Sequence, residues 1–421
     1  MVQEYFLIKG KKPLKGEIEV RGSKNSCFPL LCASLLSEKT SVLDNIPLIE
    51  DVSRLIEVLR KLGAKINFSK RKIEITPKKL NPAQIDKNLV MLLRGSILLL
   101  GALLSRFKKI FLPYPGGCLI GKRPLTAHFE GFRQLGVKIK EKKYGFEASF
   151  EKIKSRKVVL PEFSVTATEN LMIFLAKKEG KFLIETAAYE PQVQETAEVL
   201  NQMGAKVKFL PFHKIEIQGK KKLNPFFWKL KPDPLEAGSF ILMAATTKSK
   251  LKIKNVPFEH LTLTLKTLEK FGVKFKKEKE NLLVLPPRKL KSPSKIQVMI
   301  YPGVPSDLQT LFGVLCTQSE GKTLIHDPLY ENRLRYLEEI KKMGAKIKIL
   351  NRHEAEIEGP SKLKGRVFKS FDLRSGMAFI VASLVAEGES RIYDTYQVDR
   401  GYEKIEKRLQ KLGAFIKRIK K

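Results

Sequence analysis

Six clusters of polar residues stand directly before apolar stretches: Gly22-Ser23-Lys24-Asn25, Leu93-Arg94-Gly95-Ser96, Ser164-Val165-Thr166-Ala167-Thr168, Asp233 to Gly238, Pro305-Ser306-Asp307 and Asp372-Leu373-Arg374-Ser375. The stretches that follow (FPLLCASLL, SILLLGALL, NLMIFLA, SFILMAA, LQTLFGVL and MAFIVASLV) are apolar nearly all round and read as helices inside the protein. A helix N-terminus presents unpaired N–H groups and a partial positive charge, so Lys or Arg beside it makes a site for phosphate or carboxylate. Ser, Thr and Asp at such positions are also ordinary N-caps, and Ser306 and Asp372 taken singly read as caps. Caps do not account for Lys24, Arg94 and Arg374. A cation at a helix N-terminus opposes the dipole unless an anion joins it.

A second set of polar phrases opens a further group of helices: PGGCLIGKRP from Pro115 to Pro124, YEPQ from Tyr189, YENR from Tyr330 and VDRG from Val398. The two glycines before Cys118 free the backbone for an irregular loop, and a thiol beside Lys122 and Arg123 is in surroundings that favour reactivity. Cys27, Cys32 and Cys316 lie inside apolar helices and read as packed residues. No pair of the four cysteines has CxxC spacing, and His213, His260, His326 and His353 are scattered singly, so no metal is assigned. Trp228, in NPFFWKL, reads as a packing residue.

These residues are placed by a repeated element pattern. KLGAKI, QLGVKI, QMGAKV, KFGVKF, KMGAKI and KLGAFI carry Gly63, Gly136, Gly204, Gly272, Gly344 and Gly413, at separations of 73, 68, 68, 72 and 69 residues. Such spacing is too regular for chance and too long for a solenoid of short repeats. A strand, a turn, an amphipathic helix, a Gly stop and another strand precede and follow each phrase, so the unit is roughly βαβαββ with one interior and one more exposed helix. Six units exceed one core, which predicts an α/β protein of two three-unit domains. The Pro-rich stretch Lys231-Pro232-Asp233-Pro234 marks the boundary, and a second crossing falls near Arg21. The domains expected are 22–232, and 1–21 plus 233–421.

With 421 residues, 43% hydrophobic and 29% charged, the chain suffices for two or three cores and is too apolar for a disordered protein. The formal net charge of +36 agrees with an acidic ligand. Lys recurs along the whole chain instead of gathering in one stripe, which reads as solvated faces, with no nucleic-acid binding beyond non-specific attraction. The few cysteines fit a reducing cytoplasm. The first residues lack an apolar h-region, and the most apolar segment, Leu89 to Leu104, is interrupted by Arg94 and Gly95 and reads as a buried helix. A cytoplasmic protein that neither spans a membrane nor is exported is expected.

Taken together, GSKN at 22–25, PGGCLIGKRP at 115–124, SVTATEN at 164–170, PSDLQ at 305–309, YENR at 330–333, DLRSG at 372–376 and DRGYEKIE at 399–406 resemble the UDP-N-acetylglucosamine 1-carboxyvinyltransferase family, in order and over essentially the whole chain. The resemblance implies an inside-out α/β barrel of two three-unit domains closing over phosphoenolpyruvate and UDP-N-acetylglucosamine. It implies transfer of enolpyruvyl to the sugar 3′-hydroxyl with release of phosphate, through a tetrahedral adduct and without metal or other cofactor, in peptidoglycan precursor synthesis.

The same resemblance makes Cys118, Asp307, Lys24 and Arg400 the catalytic set, with Cys118 as proton donor to the methylene carbon and Asp307 as base for the hydroxyl. Asp307 reads as a base instead of a cap because Pro305-Ser306 already offers a capping hydroxyl. Lys24, Arg94, Arg123, Arg333, Arg374 and Arg400 would hold the phosphate and carboxylate of phosphoenolpyruvate, with Glu190 and Glu331 positioning the cations. Asn25, Arg94, Arg123, Pro124, Leu125, Thr126, Ala127, Ser164, Val165, Asp307 and Leu329 would bind the nucleotide sugar. His128 follows the family pattern as well. Thr126, Glu162, Pro234 and Gln397 depart from it where family members carry an acid, Lys, Arg and His, which bears on nucleotide affinity and loop closure. The related 5-enolpyruvylshikimate-3-phosphate synthases share the sixfold architecture, but the Cys-loop, GSKN and DRGYE favour the cell-wall enzymes. A catalytically silent relative that binds nucleic acid is the other alternative, and the filled acid, base and anion positions argue against it.

Overall fold

The computed structural model describes residues 4–116, 121, 123–285 and 287–420. The described chain forms two compact units, one of residues 22–116 and 123–231, the other of 4–21, 121, 232–285 and 287–420. Each has its own apolar core, the first running from Cys27 to Leu230 and the second from Phe6 to Ile416.

The first unit shows how the repeated pattern becomes structure. Strand Lys157–Val159 leads into the interior helix Val165–Ala176, then strand Gly180–Glu185, the more exposed helix Pro191–Gln202, and the hairpin strands Lys206–Leu210 and Lys214–Gly219. Gly180–Glu185 pairs in parallel with Lys157–Val159 and antiparallel with Lys214–Gly219. The interior helix buries every residue from Ala167 to Ala176, and its near-uniform apolarity suits a helix enclosed on all sides. Helix Glu50–Lys61, by contrast, buries one stripe through Val52, Leu55, Ile56 and Leu59. Acidic Glu50 and Asp51 in its first turn and Arg60 and Lys61 in its last complement the helix dipole. The six phrase glycines follow the exposed helices, with φ between +83° and +104°, the left-handed conformation that ends a helix and turns the chain into the next strand.

Some sheets are completed by distant segments. Phe227–Lys229, at the end of the first unit, pairs in parallel with Ser41–Asp44 near its beginning. In the second unit Glu4–Lys9 lies between Glu389–Tyr393 and Phe415–Lys420, antiparallel to both, while Gly16–Glu19 pairs in parallel with Leu251–Lys254. Trp228 is part-buried against the core and donates from Nε1 to Glu195 Oε1 at 2.8 Å.

The run Leu89 to Leu104 departs from the expected single buried helix. It comprises the end of a short helix, Lys87–Met91, a 3₁₀ segment, Arg94–Leu98, and the helix Leu99–Leu104. The break falls at Leu92-Leu93, just before Arg94, with Leu93 in extended backbone and Ser96 Oγ donating to the carbonyls of Leu93 and Val90 across it. Cys27, Cys32 and Cys316 are fully buried, and burial pushes their thiols up, that of Cys316 to about 12. They are inert packing residues at neutral pH.

Candidate functional site

In the first unit, Ser23 caps helix Lys24–Ala33 by accepting from the Ser26 N–H at 3.2 Å, which places Lys24 and the half-buried Asn25 in its first turn. Lys24 Nζ donates to Asp51 Oδ2 at 2.6 Å. The anion that offsets the dipole conflict at this helix is therefore supplied by the first turn of the neighbouring helix. Arg94, opening the 3₁₀ segment, donates to the carbonyls of Arg123 and Pro124 and so ties down the approach to helix Thr126–Gln134. Thr126 is the first residue of that helix, Leu125 precedes it as a buried N-cap position, and Ala127 is buried behind.

His128, on the same helix, is 2% exposed and anchors a hydrogen-bond network. Asn170 Oδ1 accepts from the Gly101 N–H, so its Nδ2 donates to the Ile97 carbonyl and to His128 Nδ1. With Nδ1 as acceptor, the ring proton sits on Nε2 and points at Thr166 Oγ1, 3.0 Å away. Burial, reinforced by the Arg94 charge, lowers the His128 pKa to about 3, and the imidazole is neutral. Thr166 follows Ser164, the N-cap whose hydroxyl accepts from Ala167 N–H, and Val165. Two turns of chemistry thus converge on the start of one interior helix.

Glu169 lies deeper in this helix, 1% exposed, with Oε1 lacking a hydrogen-bond partner among the described residues. Burial, and then the charge of Glu190, hold its carboxyl well above the usual range. Glu190 itself is the N-cap residue of Pro191–Gln202 without a side-chain capping bond.

In the second unit, Asp307, Arg333 and Arg374 come together. Arg374 Nε donates to Asp307 Oδ1 at 2.9 Å, and Arg333 Nη2 lies 3.5 Å from the same oxygen. Arg374 is 8% and Arg333 4% exposed. Burial works against the Arg374 charge, but Tyr402, Asp307 and Asp233 outweigh it and raise its pKa above the ordinary value. Asp372 caps helix Leu373–Val385 with a capping box to Ser375. Ser306 is not a cap, contrary to the expectation: the N-cap position is Pro305, and the Ser306 hydroxyl donates to Asp327 while accepting from Arg333 Nε at 3.0 Å. Asp307 is the second residue of helix Ser306–Thr317 and does not occupy its N-cap position.

Arg400 is buried and donates from Nη1 to Gln397 Oε1 at 3.1 Å, so Gln397 occupies the place beside it. Leu329 is 43% exposed, its N–H held by Asp327 Oδ1. Glu331 is part-exposed, just before Arg333. Cys118 and Lys122 lie outside the described residues. The predicted residues thus form two sets, one in each unit. Asp51, Asp327, Thr166, Asn170 and Tyr402 are additions; Thr166, Asn170 and Tyr402 lie within the SVTATEN and DRGYEKIE phrases, whereas no local signal marked Asp51 or Asp327. Among the described residues, no group of His, Cys, Asp and Glu is arranged to hold a metal ion, and no helix is long and apolar enough to cross a membrane.

The fold is that of the enolpyruvyl transferases. It superposes on the enolpyruvyl transferase NikO from Streptomyces tendae with a TM-score of 0.91 at 21% identity, covering 100% of both chains. An EPSP synthase from Acinetobacter baumannii gives 0.74 at 19% identity, covering 99% of this chain and 100% of that one. Residues 8–409 match the family model described as EPSP synthase (3-phosphoshikimate 1-carboxyvinyltransferase). Two relatives, both named UDP-N-acetylglucosamine 1-carboxyvinyltransferase, are 40% identical: one from Caldanaerobacter subterraneus, over 99% of this chain and 100% of its own, and one from Halothermothrix orenii, over 99% of each. This chain belongs to the UDP-N-acetylglucosamine 1-carboxyvinyltransferase family.

Proposed function

We propose that this protein transfers the enolpyruvyl group of phosphoenolpyruvate to the 3′-hydroxyl of UDP-N-acetylglucosamine and releases phosphate, as the committed step of peptidoglycan precursor synthesis in the cytoplasm. The observation that carries the reading is the Asp307 carboxylate set against two buried guanidinium groups, Arg374 at 2.9 Å and Arg333 at 3.5 Å, in a chain 40% identical to enzymes of that name. A carboxylate base and fixed cations in one place suit addition of an alcohol to an anionic enol phosphate. The finer architecture in this reading is an inside-out barrel, with the interior helices directing their N-termini toward the substrates.

In the proposed mechanism Asp307 takes the hydroxyl proton as the sugar oxygen bonds to C2 of phosphoenolpyruvate, and Cys118 delivers a proton to C3. The tetrahedral adduct then loses phosphate and a C3 proton to give the enol ether. Lys24, Arg94, Arg123, Arg333, Arg374 and Arg400 hold the phosphate and carboxylate. Asn25, Arg94, Arg123 to Ala127, Ser164, Val165 and Leu329 hold the nucleotide sugar. The test is phosphate release, which requires both phosphoenolpyruvate and UDP-N-acetylglucosamine and persists in EDTA. Because the matching family model is described by its phosphoshikimate member, shikimate 3-phosphate is the discriminating control. Turnover with it and none with the nucleotide sugar overturns the reading.

A further inference from the structure

Tyr402, 1% exposed, places its hydroxyl 3.0 Å from Arg374 Nη1 and 2.7 Å from Ser239 Oγ. The direction of each bond follows from counting protons. Ser239 Oγ donates its single hydrogen to the Leu235 carbonyl at 2.7 Å, which only accepts, so it receives the Tyr402 hydrogen. The Tyr402 oxygen is left with lone pairs facing Arg374, whose N–H groups only donate. The relay therefore runs in one direction, from Arg374 through Tyr402 and Ser239 to a helical carbonyl. It grips the guanidinium at Nη1 while Asp307 grips it at Nε. With two of three nitrogens fixed, the plane of the group is fixed too, and Nη2 is the corner without a protein acceptor among the described residues. A guanidinium held in this way presents its remaining N–H groups in one direction, which is what recognition of a carboxylate or phosphate requires.

We propose that Tyr402, oriented by Ser239, is a positioning residue for phosphoenolpyruvate: it turns the Arg374 guanidinium so that Nη2 meets an anionic oxygen of that substrate while Nε keeps the Asp307 base in place. This rests on the function proposed above and adds the group that sets the geometry of its central arginine. Without the hydroxyl, Arg374 keeps its charge and loses its orientation. The defect should fall on phosphoenolpyruvate and on the rate, and not on binding of the nucleotide sugar.

The experiment is steady-state kinetics of phosphate release for the wild type, Tyr402→Phe and Ser239→Ala, with each substrate varied in turn and melting temperatures measured alongside. Loss of one hydrogen bond to a charged group should lower kcat/KM for phosphoenolpyruvate about 10- to 100-fold in Tyr402→Phe, leaving KM for UDP-N-acetylglucosamine within about twofold. Ser239→Ala should move the same parameter in the same direction by less, because the tyrosine remains and only its hydrogen is released. Equal losses for both substrates, or a folded Tyr402→Phe with wild-type kcat/KM for phosphoenolpyruvate, would overturn the proposal. If Tyr402→Phe fails to fold, the Ser239→Ala kinetics decide by the same criterion. A wild type that releases no phosphate from this substrate pair refutes the underlying function instead, an outcome visible before any variant is made.

Discussion

At Asp307 the carboxylate is part-exposed while both its arginine partners are buried. Asp307→Asn keeps an oxygen that accepts from Arg374 Nε and removes the proton acceptor. Turnover should fall about 10²- to 10⁴-fold while the melting temperature stays close to that of the wild type. Near-normal turnover would place the base elsewhere. Two buried titratable groups in the first unit make opposite predictions for stability against pH. The His128 pKa falls from 6.5 to about 3 on folding, so between those values the unfolded chain binds a proton that the folded chain refuses, and stability drops as pH falls through that window. In urea titrations the wild type should lose up to about 1.4 kcal/mol per pH unit relative to His128→Gln there. Parallel curves would mean that the imidazole is not neutral in the fold. Glu169 shifts upward, so its contribution is complete below 4.5 and declines as pH rises above it. Glu169→Gln should therefore gain on the wild type progressively as pH rises above 4.5, and a constant difference would count against a raised carboxyl.

Among elements, interior helices Leu99–Leu104 and Val165–Ala176 approach closely beside His128. A Cβ on Gly101 would lie 2.2 Å from the Asn170 carbonyl oxygen and 2.7 Å from its Oδ1. The absence of that carbon lets the Gly101 N–H reach Asn170 at 2.7 Å, and the same side chain sets the His128 tautomer. Gly101→Ala should cost roughly 1–3 kcal/mol in chemical denaturation by forcing the helices apart. A neutral result would show that they yield easily. The six phrase glycines were legible as helix stops because a left-handed residue after a helix is a local requirement. The split of the run Leu89 to Leu104 was not legible in full, since apolarity records burial and not whether a buried segment is one helix or three.

For the whole molecule, the N-terminal strands belong to sheets formed by residues more than two hundred positions away. Glu4–Lys9 is flanked by strands on both sides, and Gly16–Glu19 completes a sheet with Leu251–Lys254. A fragment of residues 232–421 should therefore be unstable alone and recover when residues 1–21 are fused to it through a linker, as judged by solubility and circular dichroism. Cooperative folding without them would show that the two strands are dispensable. The +36 charge is spread over many exposed lysines. Duplex DNA binding should be weak, indifferent to sequence and steeply reduced between low and physiological salt, because counterion release alone drives it. Selective binding that survives physiological salt would assign the charge to a partner.

The sequence by itself determined what is periodic or local: the near-regular glycine phrases, the all-apolar interior helices, and the Lys and Arg residues at their starts, which called for anions. Its phrases also carried the family likeness from end to end. Only the tertiary structure decided which group answers which. Lys24 meets Asp51, 27 positions away, and Arg374 meets Asp307, 67 positions away, from different helices. Ser306 serves Asp327 and Arg333 instead of its own helix, and Tyr402 meets Ser239 across 163 positions. Such pairings depend on distances set when whole helices pack, and the direction of each proton depends on every neighbour at once. Residue type states what a side chain can donate or accept; packing selects the partner.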